Sequence, residues 1–466
     1  MSDQAQLRAV LEGLRDQPDQ LIEIVLRQAG VIDDLKEQIK KLEEQIRDLT
    51  DRNDKLQQRL DELERAAHRP AAPFRIKDKH RVITPQKPGR RKGHAPARRP
   101  IPEHIDEYVE VPLSGCPHCQ GEVCNVHAVV QYIEDIPPVR PHVTKLTTFS
   151  GDCPRCQKEV RSTHPMQVSL AEGAAGVQLG SHVLAVACEL NKRHGLTLRR
   201  TTEVLKSLFG ISISPGGLVQ AMHRLAKRLN GQYEAMIERM RAGPLIHSDE
   251  TSWWLGKPGW LWVFTTPEQT IYHVAQGRGR NVLTDMIGLE YGGVLVSDCL
   301  GIYDNVNQRQ HKCYSHHLKA ISEAHEQKPS EYMQEVRALL HAAMALKGAE
   351  LPPDRIASLR AELEQQADQL LSVPRPDNIE EKVRRRLWKQ RDHLFTFLDY
   401  PEVPATNNLA ERQLRPAVIA RKLSCGNRTA DGAHTWQVLT SIAVTCVQQA
   451  QSFVKLIVQT ALLPQR

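Results

Sequence analysis

The chain has 466 residues, 40% hydrophobic and 25% charged, with 62 Lys and Arg against 55 Asp and Glu, a net charge of +7. That length is a prior for about three domains with ordinary cores. It has no run of about 18 apolar residues to span a membrane. Residues Met1 to Gln20 lack the basic-then-apolar order of a secretory signal. The expectation is a cytoplasmic protein in a reducing compartment, where its 10 cysteines read as metal ligands or buried thiols rather than a disulfide framework.

The first clear pattern is a heptad. Ile32, Leu35, Ile39, Leu42, Ile46, Leu49, Asn53, Leu56, Leu60 and Leu63 alternate in steps of three and four, with Leu at every d and Ile, Leu or Asn at a. This predicts a coiled coil over 1–67, and an Asn at a favours a two-stranded, in-register pairing. A parallel homodimer is expected; a helix packing on its own chain is the alternative. Residues 68–100 change character. From Arg69 to Pro100 there are 11 Lys or Arg and one acid, Asp78, punctuated by six prolines. Such a stretch reads as an extended linker. Arg90, Arg91 and Lys92 either track a phosphate backbone or merely keep the linker soluble.

Two C-x-x-C knuckles follow, Cys116-Pro-His-Cys119 and Cys153-Pro-Arg-Cys156, 33 residues apart. Each tight turn offers two thiolates to one ion, so 101–168 reads as a structural Zn²⁺ domain. The long gap suits a zinc ribbon, with strand-like sequence at Val126–Ile133 and Val143–Phe149. Cys124 is a competing ligand, and unmetallated thiols or a redox pair are the alternative.

Residues 169–242 read as helical. Thr197–Phe209, a turn at Gly210–Ser214, then Pro215–Leu229 looks like helix-turn-helix, with Ser214 as N-cap and Pro215 in the first turn. Arg224, Lys227 and Arg228 on the second helix are candidate DNA contacts; an ordinary helical hairpin with a solvated basic face is the alternative. From 243 the texture turns to strands. Leu245–His247 leads into Ser248-Asp249-Glu250-Thr251, then Gly259–Thr265 and Thr270–Val274 alternate as a hairpin. A helix at Asn281–Ile287 precedes an apolar strand, Gly293–Ser297, ending at Asp298. Acids at the ends of the first and fourth strands suggest an RNase H-like fold over 243–317. Residues 318–399 are helical and charged and read as an insertion. A helix-start signal at Thr406-Asn407-Asn408 introduces Glu411 in the closing segment 400–466.

Asp249, Asp298 and Glu411 are the candidate catalytic acids. Two at strand ends and one on a helix suit two Mg²⁺ or Mn²⁺ ions about 3.5–4 Å apart. Arg412, Arg415, Arg421 and Lys422 follow Glu411 and are candidate phosphate partners, or else salt-bridge to the acids or the surface. Trp253, Trp254, Trp260 and Trp262 read mostly as hairpin packing, and His247 as a packed strand residue.

In His247-Ser-Asp249-Glu250-Thr251, GWLWVFTTP at 259–267, VLVSD ending at Asp298, Cys313-Tyr-Ser-His316 and TNNLAERQLRPAVIARK at 406–422, the chain resembles the DDE transposases of bacterial insertion sequences, family sixty-six. The zipper, the linker and the CPHC knuckle look like that family too. The resemblance implies a multidomain α+β and α/β protein: a coiled coil, a zinc domain, a helical DNA-binding domain, and an RNase H-like catalytic domain with a helical insertion. It implies the Asp249, Asp298 and Glu411 triad, with Cys313 and His316 as structural support nearby. It implies metal-dependent end cleavage and strand transfer on DNA, at terminal inverted repeats and target. It also implies a dimer, accessory proteins of the same element, and association with the nucleoid when bound to DNA. A small residue such as Gly is expected after Asp298, where this chain has Cys299. A DNA-binding repressor derived from a transposase, a metal nuclease of the same fold, and a coiled-coil scaffold with a zinc module are the rival readings.

Overall fold

A computed structural model describes residues 8, 12–13, 18–68, 99–170, 176–304 and 306–461; of 51–68 it describes the helix alone. Two compact units emerge, Met1–Tyr132 and Ile133–Arg466.

The first unit holds one long helix, α1 (Pro18–His68). It starts upstream of the heptads and runs through Gly30, because the charged, Pro-free sequence beyond Pro18 offers nothing to stop it. Ile32, Leu35, Ile39, Leu42, Ile46 and Leu49 form an apolar seam that is half or more exposed. The side chains of Asn53, Leu56, Leu60 and Leu63, and all of Arg90, Arg91 and Lys92, lie outside the described residues.

In the second unit the first strands are a small hairpin, β1 (Ser150–Asp152) and β2 (Glu159–Arg161). The expected strands at Val126–Ile133 and Val143–Phe149 do not form; the only strands between 99 and 170 are β1 and β2. Alternation makes a strand only with a ladder partner and a face to bury, and Val126, Ile133 and Val143 are exposed.

Three helices precede the main sheet: α2 (Ser181–Cys188), which passes into a π-helical turn at Glu189–Arg193, then α3 (Leu198–Phe209) and α4 (Pro215–Ala242). The hairpin is punctuated as the sequence predicts. Gly210 closes α3 at φ +65°, a left-handed cap that suits glycine. The Ser214 side chain accepts from Gly217 N–H at 3.1 Å, with Pro215 at the first position. The second helix is much longer than expected. Leu229, Tyr233, Met236 and Met240 continue its buried stripe past Asn230 and Gly231, so packing overrides two weak helix formers.

The five-stranded sheet contains β3 (Leu245–Trp254), β4 (Pro258–Thr265), β5 (Thr270–Ala275), β6 (Val294–Ser297) and β7 (Gln310–Lys312), in the order β5-β4-β3-β6-β7. β3, β4 and β5 are an antiparallel meander; β6 and β7 run parallel to β3 and to each other. The crossover from β5 to β6 is α5 (Arg280–Ile287). After β7 come α6 (Tyr314–Gln327), α7 (Glu331–Lys347), α8 (Pro353–Leu371), α9 (Asn378–Trp388) and the short α10 (Thr396–Asp399), then α11 (Asn408–Ser424), α12 (Ala430–Gln448) and α13 (Phe453–Ala461).

Strand parity sorts the core. Ile246, Trp262, Phe264, Ile271 and Leu295 point to one face and pack on α2, α4, α5, α12 and α13. The helices α2 to α4 thus share the sheet's core, and packing is continuous across residue 242 where a domain boundary is expected. The opposite face is covered in two patches. Leu245, Val294 and Val296 meet α6 to α10, while Trp253, Leu261, Val263 and Tyr272 meet α11 and the start of α12. Burying each such side chain contributes about 1.5–3 kcal/mol, so both faces are firmly closed. Helices α6 to α10 fall where the sequence suggests an insertion, and they pack with Leu245, Val294 and Val296 of the sheet in one apolar cluster.

Candidate active site

The two-residue period of a strand decides which acids face α11. Leu245, His247 and Asp249 share one face of β3; Ile246, Ser248 and Glu250 share the other. The pair His247↔Val296 is the last register contact between β3 and β6. Asp249 and Asp298 each lie two residues beyond it, at the same level and on the face covered by α11. Glu411 sits in the first turn of α11.

Asp249 feels the neighbouring acids. Burial, with the charges of Glu250, Asp298 and Glu411 adding to it, pushes the Asp249 carboxyl up to about 7. Asp298 uses one oxygen to close its own turn, accepting from Leu300 N–H at 2.9 Å. That bond shapes the corner at Cys299, where a smaller residue is expected, before the 3₁₀ turn Gly301–Tyr303. Glu250, next in sequence to Asp249, is held apart on the opposite face. It accepts from Arg278 Nε at 3.0 Å and from the buried Tyr303 hydroxyl. Burial still raises its pKa against those two donors.

Asn407 is the residue that joins the parts. It is fully buried. Its Nδ2 donates to Ser248 O at 2.8 Å, so its Oδ1 is left to accept from His247 Nδ1 at 3.0 Å. The imidazole is neutral, since burial pushes His247 down to about 4. The Asn407 N–H goes to Cys313 Sγ at 3.1 Å. The start of α11 therefore falls where the sequence signal puts it, but the Asn407 side chain does not cap the helix. It is spent on β3, which ties the first turn of α11, with Glu411 in it, to the strand that carries Asp249. The only sequence signal was an Asn read as a helix-start residue.

Cys313, His316 and Glu411 offer donor atoms within 4.8 Å of one another, a group able to hold a metal ion. Burial raises the Cys313 thiol, but hydrogen bonds from His316 and Asn407 outweigh it and the net shift is down. The bond to Cys313 raises His316 in turn.

The basic residues divide. Arg224, Lys227, Arg412, Arg415 and Lys422 are exposed. Arg228 is half-buried and donates to the carbonyls of Val168, at 2.7 Å, and Ala461; its guanidinium tethers segments of the fold. Arg421 donates to Thr251 Oγ1 at 3.1 Å and to Ser252, pinning α11 to the end of β3. Trp253 packs against Trp436 with the ring centroids 4.7 Å apart and the planes tilted by 46°, and Trp262 is fully buried. Trp260 lies under Arg278 at 4.3 Å, while Trp254 is exposed.

Each cysteine knuckle forms the same turn by itself. Gln120 N–H donates to Cys116 O at 2.8 Å and Gln157 N–H to Cys153 O at 2.8 Å. Gln120 and Gln157 take matching left-handed φ values of 61° and 55°. The second turn sits at the tip of the β1–β2 hairpin. Backbone N–H groups aimed at the sulfurs lower the Cys116 and Cys153 thiols.

A family model described as "Transposase IS66 family" matches residues 176–435, more than half of the chain and all of the β-sheet. The chain belongs to the IS66 transposase family. It is thus a transposase-related protein, of a family whose members handle DNA. A curated relative from Sinorhizobium fredii (strain NGR234), "Uncharacterized protein y4qI", is 25% identical over 294 residues, 54% of this chain and 53% of the relative. A second from the same organism, "Uncharacterized protein y4jO", is 32% identical over 73 residues, 16% of this chain and 23% of that protein. The chain therefore spans about half the length of the first and a quarter of the second. Among the described residues no helix is long and apolar enough to cross a membrane.

Proposed function

We propose that this protein is a DDE-type DNA transposase that cleaves the ends of an insertion sequence and joins them to target DNA. The observation that supports the reading is that Asn407 ties the first turn of α11, which carries Glu411, to β3, where the Asp249 carboxyl feels the charges of Asp298 and Glu411. The mixed sheet in the order β5-β4-β3-β6-β7, with Asp249 midway along β3 and Asp298 just past the end of the parallel strand β6, fits the RNase H-like arrangement expected from the sequence. Family membership supports the same reading.

The donor set suits a hard divalent ion such as Mg²⁺ or Mn²⁺. All three candidate ligands are carboxylates, and a cation would offset the burial and the neighbouring charges that raise Asp249. Asp249, Asp298 and Glu411 would hold the metal, which lowers the pKa of an attacking water or 3′-hydroxyl and stabilises the leaving oxygen. The protein's own part is positional. His247 and Asn407 lock the strand to the helix, and Glu250 stays out of the site on its Arg278 and Tyr303 anchors. Arg412 and Arg415, exposed beside Glu411, are placed to pair with phosphates flanking the reacting one. Arg224 and Lys227 extend that contact along the duplex.

The remaining parts serve recognition and pairing. Each knuckle makes the same turn and lowers its first thiol, so Cys116 with Cys119, and Cys153 with Cys156, each offer a pair of ligands suited to structural Zn²⁺. The exposed seam of α1 suits a second copy of the chain, which would bring two element ends together. On this reading the enzyme works in the cytoplasm on nucleoid DNA, with help from proteins of the same element.

The test incubates the full chain with DNA carrying the element ends, a target duplex and Mg²⁺ or Mn²⁺. Joined strands are expected with the wild type and none with Asp298→Asn. Equal products from both proteins refute the catalytic reading. Nicked but never joined DNA assigns a nuclease instead.

A further inference from the structure

Beside the three acids lies a donor set of softer chemistry. Cys313 is the N-cap residue of α6, His316 lies one turn in, and Glu411 approaches from α11. The i, i+3 spacing places the thiol and the imidazole on one side of α6. His316 Nδ1 is 3.8 Å from Glu411 Oε1. That nitrogen is buried and makes no well-formed hydrogen bond; its neighbours are the Cys313 thiol and the Glu411 carboxylate, the groups an ion would share with it. Donors around a tetrahedral ion with bonds of about 2.0–2.3 Å stand roughly 3.3–3.8 Å apart, so the observed separation needs little adjustment.

We propose that Cys313, His316 and Glu411 form a seat for a thiophilic divalent ion of the zinc class, with a fourth position open to water or a phosphate oxygen. The donors select the ion. One sulfur, one imidazole nitrogen and one carboxylate oxygen suit borderline-soft Zn²⁺, whereas Mg²⁺ takes oxygen ligands. Cys313 already accepts the Asn407 N–H, the kind of outer bond that orients a metal-bound thiolate. The ion has a way in. Cys313 is buried, but about a third of the His316 and Glu411 side chains is exposed. The seat stands on these distances alone. Its coupling to catalysis rests on the proposed function, because Glu411 would be shared with the hard-metal triad and drawn toward α6 when the seat is filled.

Cobalt, a spectroscopic stand-in for zinc, tests the site without DNA. Full-length protein, stripped of metal and kept reduced, is titrated with Co²⁺. The wild type should take up one equivalent more than Cys313→Ser, and that equivalent should carry thiolate-to-cobalt charge-transfer absorption and tetrahedral d–d bands. The knuckle thiols are common to both proteins and cancel in the difference. His316→Ala and Glu411→Gln change half-exposed side chains, and they decide the matter if Cys313→Ser does not fold. Each should weaken the extra equivalent by about tenfold or more, since even outer-shell partners are worth that much. Identical stoichiometry and spectra in the wild type and the folded variants overturn the seat. A normal cobalt step in a protein that never joins DNA counts against the transposase reading and leaves the seat standing.

Discussion

Asn407→Ala isolates the joint between the sheet and α11. The substitution removes both side-chain bonds, the one to Ser248 O at 2.8 Å and the one to His247 Nδ1 at 3.0 Å. It leaves the N–H bond to Cys313 in place. Ser248 and His247 are buried, so water does not replace what is lost. Each stranded polar group costs about 1–3 kcal/mol, which makes the expected loss about 2–5 kcal/mol. Domains of this size shift by about 2–4 °C per kcal/mol, so the melting temperature should fall by roughly 5–15 °C. A folded remnant at low temperature should also be slack at Glu411 and lose most of its joined DNA product. Thermal melting read by circular dichroism, followed by the end-joining assay at 25 °C, measures both. Melting within a degree of the wild type, with unchanged joining, would show that α11 is held by its apolar face alone and that Asn407 positions nothing.

Acid should destabilise the fold. His247 and His311 are pushed down to about 4 and His317 to about 3, chiefly by burial. Lowered folded-state values mean the unfolded chain binds more protons below about 6.5. Their contribution is therefore complete above that pH and is lost as pH falls toward 4, at about 2 kcal/mol per histidine by pH 5. Asp249, raised to about 7, works the opposite way and returns about 2 kcal/mol over the same interval. Denaturant midpoints measured from pH 7 to 5 should fall; a flat or rising profile contradicts the burial of these rings. The basic residues of α4 should separate by role. Arg228→Ala should lower thermal stability by about 1–3 kcal/mol through its lost carbonyl bonds, whereas Arg224→Ala and Lys227→Ala should melt normally. On a duplex, those two should reduce affinity and flatten its salt dependence; a normal salt slope in both would remove α4 from the DNA interface.

Much of the second unit was legible because its periodicities are clean. GWLWVFT alternates across β4, the apolar run before Asp298 is β6, and Gly210 with Ser214 punctuates the α3–α4 hairpin. β3 was read as only three residues because its later half is polar. Ser248 and Glu250 earn their places through Tyr303 and Arg278, partners that lie 28 to 55 positions away. The acids were visible as strand-end carboxylates, yet nothing local separates Asp249 from Glu250; strand parity does, once α11 is known to cover one face. Asn407 shows the limit most clearly. A residue that reads as a cap is, in space, a bridge to β3 across 160 positions. Arg228 looked like its exposed neighbours until its carbonyl partners came into view.

The helical insertion has a bearing on synthesis. Asp249 leaves the ribosome about 160 residues ahead of Glu411 and Asp298 about 110, and helices α6 to α10 can condense on the sheet in the interval. A nascent chain thus carries two of the carboxylates and no Asn407 to seat the third. On the proposed function, whatever such a chain grips meanwhile, it lacks its third acid until α11 has been made.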